Sequence, residues 1–150
     1  MVNPFDLRSA VFAKHAQHVV LIHFPIALVI TSVGFDYMAH WTKDRTLAAA
    51  AYVNLILASV SLVPVVATGV GAWQWALDGQ HLRGILLMHL VLGCISTAVT
   101  WLVSWMHWRV RRHPASSLLA LRLSLEAAAV LLVGLTAHLG GFLTGVNGPG

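Results

Sequence analysis

The chain is 150 residues long, 58% hydrophobic and only 9% charged, with a mean hydropathy of +0.79. A soluble domain places charge at roughly a quarter of its positions, so a water-facing globule is excluded and the outside of this protein must meet lipid. The net charge of +4 sits in scattered loop residues, which excludes the basic stripe of a nucleic-acid binder, and a single cysteine, Cys94, excludes both an internal disulfide and covalent c-type haem attachment.

The first element in chain order is "NPFDLRSAVFAKHAQ", residues 3–17. It reads as a short interfacial helix capped near Asn3 or Asp6, with Val11 and Phe12 toward lipid and Lys14 toward headgroups, or equally as a frayed terminus. Four apolar stretches follow, over about 19–40, 47–74, 84–106 and 118–143. Each has the roughly 20 residues a helix needs to bridge the hydrocarbon, and the first is too long for a signal-peptide core. The gaps "WTKDR", "LDGQHLRG" and "RVRRHPASS" hold the charges and helix breakers. All three are short, so the sequence predicts an all-α, integral membrane four-helix up-down bundle in one transmembrane domain. No convincing internal repeat is apparent.

Lys43, Arg45, Arg109, Arg111, Arg112 and Arg122 fall on one side of the bundle, against Arg8, Lys14 and Arg83 on the other. The side richer in Lys and Arg is expected to be cytoplasmic. Both termini and the 77–84 loop are then periplasmic, in a bacterial inner membrane. Trp41, Trp101, Trp105 and Trp108 would form the inner aromatic belt, with Trp73 and Trp75 at the outer one.

Nine histidines are many for so small a membrane protein. His40, His107 and His113 fall at the inner rim and read as interface decoration; His15 and His81 fall in headgroup territory. His23, His89 and His138 come from spans 1, 3 and 4, each roughly 6–8 Å inside the outer boundary at about 1.5 Å per residue. Ionisable groups at such depth are costly and usually turn inward to a partner. Imidazole suits haem iron, so the expected site is a b-type haem with His23 and His89 as axial ligands. His138 would support them or serve a second site, together with His18, which stands about 140° around the helix from His23. Gly93, Gly134, Gly140 and Gly141, with Gly69 and Gly71 in span 2, provide flat space for a macrocycle; small residues also serve tight helix packing. Pro25 removes the hydrogen bond to Leu21 and bends span 1 beside His23. A hydrogen-bonded histidine cluster without cofactor is the plainer alternative. A zinc or copper site lacks a carboxylate or thiolate at this level.

On the inner side, Arg122 and Glu126 are four apart and share a helical face, with Asp36 at similar depth on span 1. They predict an ion-pair cluster fixing helices 1 and 4. A proton path or quinone-site carboxylate is the sharper reading, extended by Asn54, Thr97 or Thr100.

"LIHFPIALVI" followed by Asp36, the histidine of "LLMHLVLG" and the closing "LTAHLGGFLTGVNG" resemble the DUF2231 family of predicted bacterial membrane proteins over residues 18–147. The family often carries TG-x-x-D at the end of span 2; here Thr68-Gly69 is kept and the acid arrives only at Asp78. The resemblance implies a membrane bundle, and the family's frequent fusion to cytochrome-c-like domains implies an electron-transfer setting. The expected function is thus a membrane electron-transfer subunit rather than an enzyme. It would link a periplasmic redox partner, such as a cytochrome c, to quinone or to the other subunits of a respiratory complex. A non-redox scaffold is the alternative, and a small proton-conducting or transport subunit the third reading.

Overall fold

The computed structural model describes residues 16–113 and 119–145; residues 3–15 of the expected interfacial segment, His15 among them, lie outside these, and its Ala16 and Gln17 open the first spanning helix. Four helices account for nearly all of it: α1 (Ala16–Thr42), α2 (Arg45–Ala76), α3 (Gly84–Arg112) and α4 (Leu119–Leu143). Each is long and apolar enough to cross a bilayer. The shortest has 25 residues, about 37 Å at 1.5 Å per residue, against a hydrocarbon core of about 30 Å. The protein is an all-α four-helix membrane bundle.

Local chemistry sets the helix ends. Lys43, with φ of 59°, turns the chain after α1, and Asp44 caps α2 by accepting from the Thr46 and Leu47 amides. At the opposite end, Trp73 Nε1 donates to the Gln80 carbonyl at 2.9 Å, tying down the α2–α3 connection. α3 runs six residues past the expected limit of 106. The Arg109, Arg111 and Arg112 guanidiniums lie over the rings of Trp105, Tyr52 and Trp108, so cationic residues continue the helix at the interface instead of ending it. α1 likewise continues through Pro25, which is buried.

The helices form a ring in which α1 touches α2 and α4, and α3 touches α2 and α4. Packing is far more extensive within the hairpins α1–α2 and α3–α4 than between them. The hairpins meet around Val29, Ala58, Ala129 and Val133. Every described buried residue lies within 25–65 or 96–133; none of 17–24, 66–75, 84–95 or 134–145 is buried. Hydrogen bonds between the hairpins follow the same division. Ser59 with Ser104, Tyr37 with the Leu123 carbonyl, and Arg111 with the Ala48 carbonyl all lie in the half nearer the basic loops. The bundle is therefore closed at the basic end, whereas at the opposite, parted end no described residue is buried and no described hydrogen bond joins the hairpins.

The two hairpins repeat one another in register. Pro25, Val29, Ser32 and Asp36 of α1 are buried, and so are Ser96, Thr100, Val103 and His107 of α3, each 71 positions later. Leu55, Ala58 and Leu62 of α2 correspond in the same way to Glu126, Ala129 and Val133 of α4. The repeat lies in which positions are buried, and few of the paired residues are identical. That is why the sequence does not display it.

Candidate functional site

Two sites occupy the two ends of the bundle. In the parted end, His18 Nδ1 donates to the Val65 carbonyl at 3.1 Å and lies 3.3 Å from the Thr68 hydroxyl. Its ring rests on Gly69, where an added Cβ would come within 2.9 Å of the imidazole. In the second hairpin, His89 Nδ1 donates to the Thr136 carbonyl at 3.0 Å, and its ring rests on Gly140 at 3.2 Å from an added Cβ. Both bonds span 47 residues. In each hairpin a histidine of the first helix thus reaches a carbonyl of the second, with glycine four residues on. A carbonyl only accepts, so Nδ1 carries the hydrogen in both rings and Nε2 of the neutral imidazole keeps its lone pair. The two imidazoles stand on opposite hairpins.

The other predicted residues fall around this pair. His23 is exposed and its Nδ1 bonds the Val19 carbonyl of its own helix at 2.6 Å. His138 is exposed, edge-on to Phe142 with ring centroids 5.1 Å apart. Gly93 is half-buried against the Thr136 methyl, while Gly134 is exposed with open space beside it. The structure thus places His18 and His89 at corresponding positions of the two hairpins, whereas His23 turns back on α1. Thr68-Gly69, the retained part of the family pattern, is the seat of His18.

At the closed end, Arg122 Nη2 donates to Asp36 Oδ2 at 2.6 Å, bridging α4 to α1, and its Nε lies 3.4 Å from Glu126 Oε1. The expected ion-pair cluster is present. It has a fourth member: His107, only 4% exposed, whose Nε2 lies 2.7 Å from Glu126 Oε1. His107 is therefore not rim decoration. The signal lay in spacing, because 89, 93, 96, 100, 104 and 107 step along one face of α3 at three- and four-residue intervals. That face is polar throughout its buried part, through Ser96, Thr100, Ser104 and His107.

The hydroxyls on this face mostly donate one turn back, Thr100 to the Ser96 carbonyl and Ser104 to the Thr100 carbonyl. Ser96 also meets the Thr136 hydroxyl at 3.0 Å, next to the carbonyl that holds His89. Thr97 bonds back to the Gly93 carbonyl, and Asn54 joins α2 to Thr31 of α1.

The family model described as a predicted membrane protein, DUF2231, matches residues 14–148, and the chain belongs to that family. No curated protein and no solved structure matches it.

Proposed function

We propose that this DUF2231 protein holds one b-type haem between its hairpins, with His18 and His89 as the axial ligands, and serves as an electron-transfer subunit. The observation that carries the reading is the matched pair of imidazoles, one per hairpin, each with Nδ1–H tied to a carbonyl and Nε2 left to a metal. Metal-bound histidines commonly use their second nitrogen in this way, because the bond fixes the tautomer and ring orientation. Two further features support it. No described residue of 17–24, 66–75, 84–95 or 134–145 is buried, and Gly69 and Gly140 make room for the Cε1 edge of each ring beside the neighbouring helix. Among the described residues no acidic side chain or thiol joins the two histidines through a hydrogen bond or ion pair, which suits iron in a porphyrin better than zinc.

When bound, the haem would supply a one-electron couple. The chain's own contribution is to orient both imidazoles and to exclude water with apolar helix faces. The excess of Arg and Lys at the closed end supports a cytoplasmic position for that end in a bacterial inner membrane. The cleft then faces the periplasm, where a cytochrome c could deliver or accept electrons, with quinone or a respiratory complex as the membrane partner.

The test is a visible spectrum of the detergent-purified full chain made with ample haem, oxidised and then reduced with dithionite. Soret and α-bands are expected, and they should disappear in His18→Ala and in His89→Ala while persisting in His23→Ala and His113→Ala. A featureless spectrum from folded wild-type protein would leave the non-redox scaffold, in which the same histidine bonds only tie helices together.

A further inference from the structure

We infer that Asp36, Arg122, Glu126 and His107 form a binding site for one exchangeable proton, shared between His107 Nε2 and Glu126 Oε1. The proposal concerns the closed end of the bundle and does not depend on the haem reading.

Charge counting carries it. Arg122 keeps its charge at any accessible pH. With both carboxylates ionised and the imidazole neutral, the four side chains sum to −1. Glu126 is 1% exposed, His107 4% and Asp36 5%, all within spanning helices. An uncompensated charge there is far more costly than one at the surface. One added proton brings the sum to zero.

The geometry provides its place. At 2.7 Å, the proton forms a strong bond to the opposite atom whichever partner holds it, as imidazolium to carboxylate or as carboxylic acid to imidazole. Independently, Glu126 Oε2 is buried with no hydrogen-bond partner. A fully ionised carboxylate left this way loses hydration at both oxygens and regains it at only one, whereas a group sharing a proton carries less charge to satisfy.

The surrounding groups leave this balance intact. From α1 the cluster meets Asp36. From α3 it meets His107, with Arg111 further out, and α4 contributes Arg122 and Glu126. From α2 it meets Tyr52, whose ring stacks on His107 with centroids 6.5 Å apart and lies 4.3 Å from the Arg111 guanidinium. Arg111 is exposed and donates to the Ala48 carbonyl at the rim, where water screens it.

A divalent cation is the competing occupant. Ligand atoms of Asp36, His107 and Glu126 lie within 4.8 Å of one another, close enough to share an ion. Arg122 already supplies a cation between the carboxylates, however, and a divalent ion would carry the buried sum to +1. The proton is the occupant that leaves it neutral.

The experiment uses the full chain in lipid nanodiscs. Proton release after a neutral-to-alkaline step is counted with an indicator dye, and infrared difference spectra are recorded in H2O and D2O. Wild type should release about one proton more per chain than Glu126→Gln. It should also show a deuteration-sensitive band of the shared proton that Glu126→Gln lacks. Glu126→Gln leaves Asp36 and Arg122 as a neutral pair and should stay folded, which thermal unfolding verifies; His107→Gln still sums to −1, so it should keep the proton and show an ordinary protonated-carboxyl band in place of the shared one. Equal proton counts in wild type and Glu126→Gln, or an unchanged band in His107→Gln, would overturn the proposal. So would one-to-one calorimetric binding of Zn²⁺ that both substitutions abolish. Haem content enters none of these readouts, so a colourless protein could still show the proton, and a cytochrome could fail to.

Discussion

At the residue scale, the informative feature of this protein is the partner of each imidazole's second nitrogen. The histidines of the opening spans were legible as a group, because nine in so apolar a chain call for an explanation. Which of them face one another was not legible, since depth along a helix is set by sequence but azimuth against a neighbour is set by packing. His18 and His23 differ by less than two turns, yet one reaches across to α2 and the other bonds its own helix. The glycines beneath His18 and His89 give a direct check. In Gly69→Ala the new methyl would stand 2.9 Å from an imidazole tethered at Nδ1, so either the hydrogen bond or the helix spacing must yield; at Gly140 the corresponding distance is 3.2 Å. Overpacking of this kind costs about 1–3 kcal/mol. Gly69→Ala is expected at the upper part of that range and Gly140→Ala at the lower, by denaturant unfolding of the detergent-solubilised protein. Both should also weaken haem retention. Equal stability of Gly69→Ala and wild type would mean that His18 does not occupy its seat on α2.

At the element scale, the working units are hairpins rather than single helices. The four spans were legible from length and hydropathy to within a few residues, except where Arg109, Arg111 and Arg112 prolong α3 by lying on aromatic rings. The closed half is held by polar contacts between hairpins that a hydropathy profile cannot reveal, and by the Asp36–Arg122 bridge from α1 to α4. A chain divided within the 77–83 connection should therefore reassemble from two co-expressed hairpins, and a tag on the first should recover the second from solubilised membranes. Asp36→Ala removes the only ion pair described between the hairpins and leaves Arg122 beside a single carboxylate. Breaking a buried pair in this way costs about 3–5 kcal/mol, so recovery of the second hairpin should fall sharply in that variant. Unchanged recovery would assign the association to apolar packing alone.

At the scale of the whole molecule, the 71-residue register relates the two hairpins, α1 corresponding to α3 and α2 to α4, as parallel repeats do in some transporters. The two ends have diverged in opposite ways. At the parted end the repeat is kept, His18 with His89 and Gly69 with Gly140; at the closed end Asp36 corresponds to His107 and Leu55 to Glu126, so a symmetric frame carries an asymmetric set of charges. The proposed orientation rests on the basic loops. In a Cys94→Ser background, Gln80→Cys should react with an impermeant maleimide from outside the cell, and Lys43→Cys only after permeabilisation; the reverse pattern would put the cleft in the cytoplasm. The register also makes the proposed stoichiometry testable. On the proposed reading each hairpin supplies one imidazole to a single iron, so either substitution, His18→Ala or His89→Ala, would remove half of its ligands. Pyridine haemochrome assay against quantitative amino-acid analysis should therefore give about one haem per chain in wild type and almost none in either variant. A ratio near two, or half the haem retained in each variant, would mean that the hairpins bind independently, with His23 or His138 as second ligands, and the shared cleft would no longer explain why the bundle opens where it does.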